Sequence, residues 1–175
     1  MLAIVFNLGE ERFALEATQL LSVVPAAPLR ALPGAMPGVV GMLPFRRRHI
    51  PVVDLELLVN GVLCRERLST RILVVDVSSA TQSRWLGLRV EGALDSLTLN
   101  ADAAQAPDRA QIPGADYLGH LVQAQEQTVQ VVRVEGLLTP ELVSLFEMSP
   151  AAASTDIAAA VVELPMLDDN PERVD

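Results

Sequence analysis

Apolar positions along the chain come in short runs rich in β-branched residues, alternating with or bounded by polar residues, and few recur at helical spacing. Leu2 to Leu8 and Arg12 to Glu16 flank Gly9-Glu10-Glu11, which predicts a strand, a tight turn and a second strand. Val39 to Leu43, Ile50 to Asp54, Ile72 to Val77 and Trp85 to Val90 read as further strands, each punctuated by polar residues, glycine or proline. Leu94 to Leu99, Tyr117 to Ala124 and Val129 to Val134 return to the same pattern. Strands of this length and spacing predict small barrels.

Two stretches break the pattern. Residues 25–38 hold four prolines and two glycines, a composition that defeats helix and sheet and predicts a stiff connection. Residues 101–116 are alanine-rich and acidic and read as a second connection. One helical signal stands near the end: Thr139 as N-cap, Pro140 in the first turn, Glu141 favourable to the helix dipole, then Leu142, Leu145 and Phe146 on one face. Gly92 and Gly119 fall inside strand-like runs, where glycine permits a bulge or a close backbone approach.

At 175 residues, half of them hydrophobic, the chain can bury a core and fold unaided. Its net charge of −9 comes from 22 acids against 13 bases, and every base is arginine. The absence of lysine excludes Schiff-base chemistry, a phosphate-loop lysine and hydrolases that need lysine beside the nucleophile. A single cysteine, Cys64, excludes an internal disulfide, and with only His49 and His120 a four-ligand structural zinc is not expected. No cofactor or metal is expected. The start of the chain has no cationic leader, and its longest apolar run is far short of the roughly 20 residues that span a bilayer, so the expected location is the cytoplasm, with no direct membrane insertion.

The acidity is uneven. From Glu147 onward there are seven acids and one arginine, −6, leaving 15 acids and 12 arginines, −3, in residues 1–146. The expected division is therefore a folded domain over 1–146 and an acidic, flexible tail over 147–175, within which Ile157, Val161 and Leu164 are spaced for a brief helix.

The densest charge is the opposite sign: Arg46-Arg47-Arg48 in "PFRRRHIPVVDL". Nucleic-acid sites combine a broad basic patch with stacking aromatics, whereas this chain is acidic and 3% aromatic, so no nucleic-acid partner is expected. An enzyme built on His49, Asp54 and Cys64 would need a histidine oriented to activate a thiol or water. Asp54 reads better as a cap for Leu55 to Val59 and Cys64 as a buried, inert thiol. If Arg48 to Val53 is extended, His49 and Pro51 share one face, Ile50 and Val52 the other. The triplet then stands as either a solvated loop or a protein contact.

Taken in order, "VFNLGEERFALEATQLLSVV", "MPGVVGMLPFRRRHIPVVDLELLV", "TRILVVDV", "WLGLRVEGALDSLTL" and "DYLGHLVQAQEQTVQVVRVEGLLTPE" resemble the CheW family, the coupling proteins of bacterial chemosensory arrays. Gly41, Arg46 and Pro51 to Leu55 keep the family's spacing from a glycine through an asparagine-leucine-arginine-glycine turn to "PVVDL". The resemblance implies a mainly β fold of two small SH3-like β-barrel subdomains packed together, with a short C-terminal helix. It implies a non-catalytic adaptor that joins a chemoreceptor cytoplasmic tip to the regulatory domain of a CheA-type histidine kinase, recruited to membrane-associated receptor clusters. The alternative of the same fold is a receptor-independent scaffold that binds the kinase alone. Arg46 takes the position of the family's turn arginine, beside partner surfaces. Pro44, Arg47 and Arg48 depart from the family's turn residues and Ser22 replaces an acid, so the turn is expected to be rebuilt, because φ > 0 is costly for a residue with a Cβ. The partner-binding set expected is Arg46, Arg47 and Arg48 with Leu20, Val23 and Met42 as apolar anchors, and the acidic tail is placed as a competitor for the triplet.

Overall fold

The computed structural model describes residues 1–100, 104–105, 114–124 and 127–148, with residues 94, 104–105 and 148 by backbone alone. The strands are β1 (Leu2–Leu8), β2 (Glu11–Glu16), β3 (Leu20–Pro25), β4 (Val39–Phe45), β5 (Arg48–Asp54), β6 (Thr70–Asp76), β7 (Trp85–Thr98), β8 (Ala104–Gln105), β9 (Leu118–Ala124) and β10 (Gln127–Val132). Helix α1 (Leu55–Asn60) follows β5, and α2 (Pro140–Met148) follows β10 after a 3₁₀ turn.

The opening hairpin forms as expected, with Leu8 opposite Glu11 across the turn at Gly9 and Glu10. β3 is an addition: Leu20–Pro25 pairs antiparallel with β6, although half-exposed residues and the adjoining prolines hide it in the sequence. The runs at Trp85 and Leu94, read as two strands, are one. The first half of β7 pairs with β6 and, in parallel, with β5; the second half pairs with β1. Between the halves Gly92 stands at φ 69, and the register with β1 shifts between Val5 and Asn7, so the strand bends by a bulge without ending.

That bend divides one sheet into two subdomains. The first runs β4-β5-β7-β6-β3 and the second β7-β1-β2-β10-β9-β8, and the sheet does not close into a single barrel. A bridge from Arg30 to Met42, with both amide-to-carbonyl distances 2.9 Å, ties the connection after β3 back to β4. Gly119 supplies the close approach: a Cβ there would lie 2.9 Å from the Val131 carbonyl oxygen.

Side-chain alternation explains why the strands read as continuous apolar runs. On β6, Ile72 and Val74 enter the core of the first subdomain, while Leu73 and Val75 enter a larger core shared by both. On β1 and β2, Val5 and Ala14 fill the second subdomain, while Phe6, Phe13 and Leu15 face the shared core. Strands buried on both faces lose the polar half of the alternation. Each fully buried Leu or Phe contributes roughly 1.5–3 kcal/mol, so the shared core holds the two subdomains together. Helix α2 closes it with Leu142 buried and Leu145 and Phe146 packed alongside, and Thr139 Oγ1 accepts the Leu142 amide at 3.2 Å as the N-cap.

Candidate partner-docking surface

β4 and β5 meet in a two-residue turn, Phe45 being paired with Arg48 across Arg46 and Arg47. Both turn residues have positive φ, 44 for Arg46 and 63 for Arg47. The twist of two antiparallel strands demands such a turn, normally built from Asn and Gly. The expected rebuilding of the turn is therefore corrected: the tight geometry remains, with arginines in the left-handed region at about 1 kcal/mol or more each. Arg46 and Arg47 are exposed at the tip; Arg48 is half-buried.

Aromatic side chains underlie the charges. The Arg46 guanidinium carbon lies 5.1 Å from the centre of the Phe45 ring, and that of Arg48 lies 4.4 Å from the centre of Trp85. Phe45 and Trp85 meet edge to face at 6.0 Å. Arg48 Nη1 donates to Ser83 Oγ at 3.1 Å, and next to it Arg84 stands 5.8 Å from the Phe146 ring of α2. Pinned by these contacts, the arginines lose less conformational freedom when they grip a carboxylate. Phe45 and Trp85 are members that the sequence reading missed; Phe146, which Arg84 covers, packs instead against the shared core, on the other face of the sheet. Their signal was the pairing of arginine with an aromatic neighbour in "FR" and again in "RW", which contains the chain's one tryptophan.

The apolar residues expected to join the triplet do not gather there. Leu20 and Val23 lie on β3, at the other end of the strand order from the β4–β5 hairpin. Leu20 packs against the shared core, while Val23 is 39% exposed. Met42 is buried, 7% exposed, so its place as a surface anchor is corrected: this side chain has almost no free area to offer. Alternation along β4 did not betray this, because Val39, Met42 and Leu43 are all buried.

The enzyme-type residues sit in a different arrangement. Asp54 is fully buried; its Oδ1 accepts the Leu57 amide at 3.1 Å as the cap of α1, and its Oδ2 accepts the Cys64 amide at 3.0 Å. Arg89 Nε lies 3.7 Å from Asp54 Oδ2, and Arg89 Nη2 donates to the Cys64 carbonyl at 2.8 Å. Burial pushes the Asp54 carboxyl above its usual range, against the opposing pull of the Leu57 and Cys64 amides and the Arg89 charge. Burial, reinforced by the Asp54 charge, pushes the Cys64 thiol up to about 11. A thiol held protonated is a poor nucleophile, so this group is a clasp that fastens the loop after α1 to β5 and β7. Among the described residues no three His, Cys, Asp or Glu side chains form a group that could hold a metal ion.

A family model described as the CheW-like domain matches residues 2–141. The chain belongs to the CheW-like domain family. Among solved structures it is similar to the scaffolding protein TtCheW from Thermoanaerobacter tengcongensis, at 16% identity and a TM-score of 0.69, covering 80% of this chain and 89% of that one. That likeness carries the fold, two SH3-like β subdomains. No curated protein matches the chain. Proteins of the CheW family are non-catalytic scaffolds and adaptors of chemotaxis signalling, the class that the sequence pattern implied. Within the CheW-like fold, the arginine–aromatic cluster lies at the tip of the β4–β5 hairpin, away from the buried clasp. No helix among the described residues is long and apolar enough to cross a membrane.

Proposed function

We propose that the chain is a non-catalytic adaptor that couples the cytoplasmic tip of a methyl-accepting chemoreceptor to the regulatory domain of a CheA-type histidine kinase. It works in the cytoplasm, at receptor clusters on the membrane. The observation that carries this reading is the β4–β5 tip: on a CheW-like fold, Arg46 and Arg47 are exposed and held in a strained turn while Phe45 and Trp85 hold the flanking charges. Strain retained at an exposed tip points to a constraint from recognition and not from folding. Carboxylates on the partner would meet the guanidinium forks, which favours specificity and on-rate more than raw affinity.

The test is paired capture, with immobilised receptor cytoplasmic tip in one arm and kinase regulatory domain in the other. Wild type is expected to bind both. Arg46→Glu is expected to weaken binding by tenfold or more, about 1.4 kcal/mol, with an unchanged thermal midpoint. Capture by the kinase domain alone would replace the coupling role with that of a receptor-independent scaffold, and a matching loss of thermal stability would make Arg46 a structural residue.

A further inference from the structure

Among the described residues five large apolar side chains are exposed, and three of them, Val62, Leu63 and Leu68, fall in the loop between α1 and β6. Leu63 is 60% exposed and Leu68 98%. Single exposed leucines are ordinary, but a concentration of them in one short loop marks a contact surface. The loop is also fixed. The Asp54 carboxylate accepts the Cys64 amide at 3.0 Å, and Arg89 donates to the Cys64 carbonyl at 2.8 Å. Thr70 Oγ1 donates to the Arg65 carbonyl at 2.6 Å and accepts the Arg67 amide at 3.0 Å. A backbone held at these four points keeps both leucines in water, and a preformed surface loses little conformational freedom on docking.

The order of residues in the loop is self-complementary. In Leu63-Cys64-Arg65-Glu66-Arg67-Leu68 two members are committed to their own chain: Cys64 is buried, and Arg67 Nε lies 3.0 Å from Glu91 Oε1. The other four, Leu63, Arg65, Glu66 and Leu68, are exposed. Arg65 forms no ion pair among the described residues, and the Glu66 side chain, 88% exposed, has only a 3.7 Å contact with Arg89. A contact so open to water holds Glu66 weakly. Laid antiparallel on a copy of itself, about a two-fold axis between positions 65 and 66, the loop sets Leu63 against the partner's Leu68 and Arg65 against the partner's Glu66. Each contact is made twice, as a two-fold interface requires.

From this pattern we infer that residues 63–68 form a homotypic interface through which two copies of the chain pair about a two-fold axis. Apolar ends bury each other, and the central charges fix the antiparallel direction. One loop per copy is a small contact, at the low end of specific interfaces, so the pairing is weak and reversible, with a dissociation constant on the order of 100 µM. None of these residues belongs to the β4–β5 tip, so the pairing stands apart from the adaptor reading.

Sedimentation equilibrium of the full chain, loaded from about 10 µM to about 1 mM, measures the pairing. Wild type should pass from monomer to dimer across that range. Leu68→Ser, at a side chain 98% exposed, should weaken the pairing by about tenfold or more and leave the thermal midpoint of the dilute protein unchanged. R65E and E66R each set like charges against one another and should each remain monomeric. An equimolar mixture of the two restores both charge pairs and should dimerise as wild type does.

A wild type that stays monomeric to about 1 mM overturns the inference. A dimer that Leu68→Ser leaves intact also overturns it, by placing the contact elsewhere on the molecule. A mixture of R65E and E66R that pairs no better than either alone does the same, because the reciprocal arrangement is then absent. No arm of this experiment reads receptor or kinase binding, so its failure leaves the adaptor reading untouched, and failure of the capture experiment leaves the pairing untouched.

Discussion

Arg48 holds Trp85 from above, its guanidinium carbon 4.4 Å from the ring centre, while its Nη1 donates to Ser83 Oγ at 3.1 Å. The pair joins the start of β5 to the segment that enters β7. Replacing Arg48 with alanine removes a half-buried cation–π contact and a hydrogen bond, and should lower stability by about 1 kcal/mol. Arg48→Lys keeps the charge but loses the planar stack and should recover less than half of that. Urea unfolding checks this through the midpoint at constant m-value. A lysine variant as stable as wild type would show that a point charge suffices.

The turn beside that pair separates stability from recognition. Arg46 and Arg47 at φ 44 and 63 occupy positions where Asn and Gly are preferred. R46N/R47G relieves left-handed strain of roughly 1–2 kcal/mol per residue and loses the Arg46–Phe45 contact, worth about 0.5 kcal/mol. The variant should be roughly 1.5–3.5 kcal/mol more stable and bind carboxylate-bearing partners more weakly. Calorimetry and capture on the kinase regulatory domain read the two effects separately; a variant that loses both stability and binding would place the arginines in the scaffold.

How far the sequence discloses this arrangement follows from which contacts are local. The β1–β2 hairpin, the Asp54 cap and the Thr139 cap depend on residues within a few positions of each other and could be read directly. The triplet also stood out, since three adjacent arginines need no partner to be noticed. Its rings did not, because Phe45 meets Trp85 from 40 positions away, a contact set by the parallel pairing of β5 with β7. Met42 was misplaced for a related reason: in strands buried on both faces, alternation no longer distinguishes surface from core. The tail expectation falls outside the described residues.

Asp54 exemplifies a residue whose local role was legible and whose distant partners were not. Asp54→Ala removes the α1 cap, leaves the buried Cys64 amide without its acceptor and strips Arg89 of its buried anion, leaving only the exposed Glu66. Together these should cost about 3–5 kcal/mol. Asp54→Asn preserves an acceptor for Leu57 and should cost about half as much. Amide hydrogen exchange at Cys64 checks the mechanism: it should accelerate far more in the alanine variant than global unfolding explains. Equal exchange in both variants would show that the loop is held by other contacts.

Cys64 carries a pH signature. Its thiol is pushed from the ordinary 9.0 to about 11, chiefly by burial and next by the Asp54 charge. A folded-state value above the unfolded one means that the unfolded chain releases the proton first. Stability is thus intact below pH ~9 and falls as the pH rises towards ~11, by up to about 2–3 kcal/mol at 1.36 kcal/mol per unit. Cys64→Ala removes this slope at the expense of a small cavity, so the gap between wild type and variant should narrow by about that amount between pH 8 and 11 in urea titrations. Alkylation of the native protein at pH 8 should be slow and should track unfolding. A gap independent of pH, or rapid alkylation of the folded state, would mean that the thiol titrates as if exposed and that the Asp54–Cys64–Arg89 clasp opens in solution.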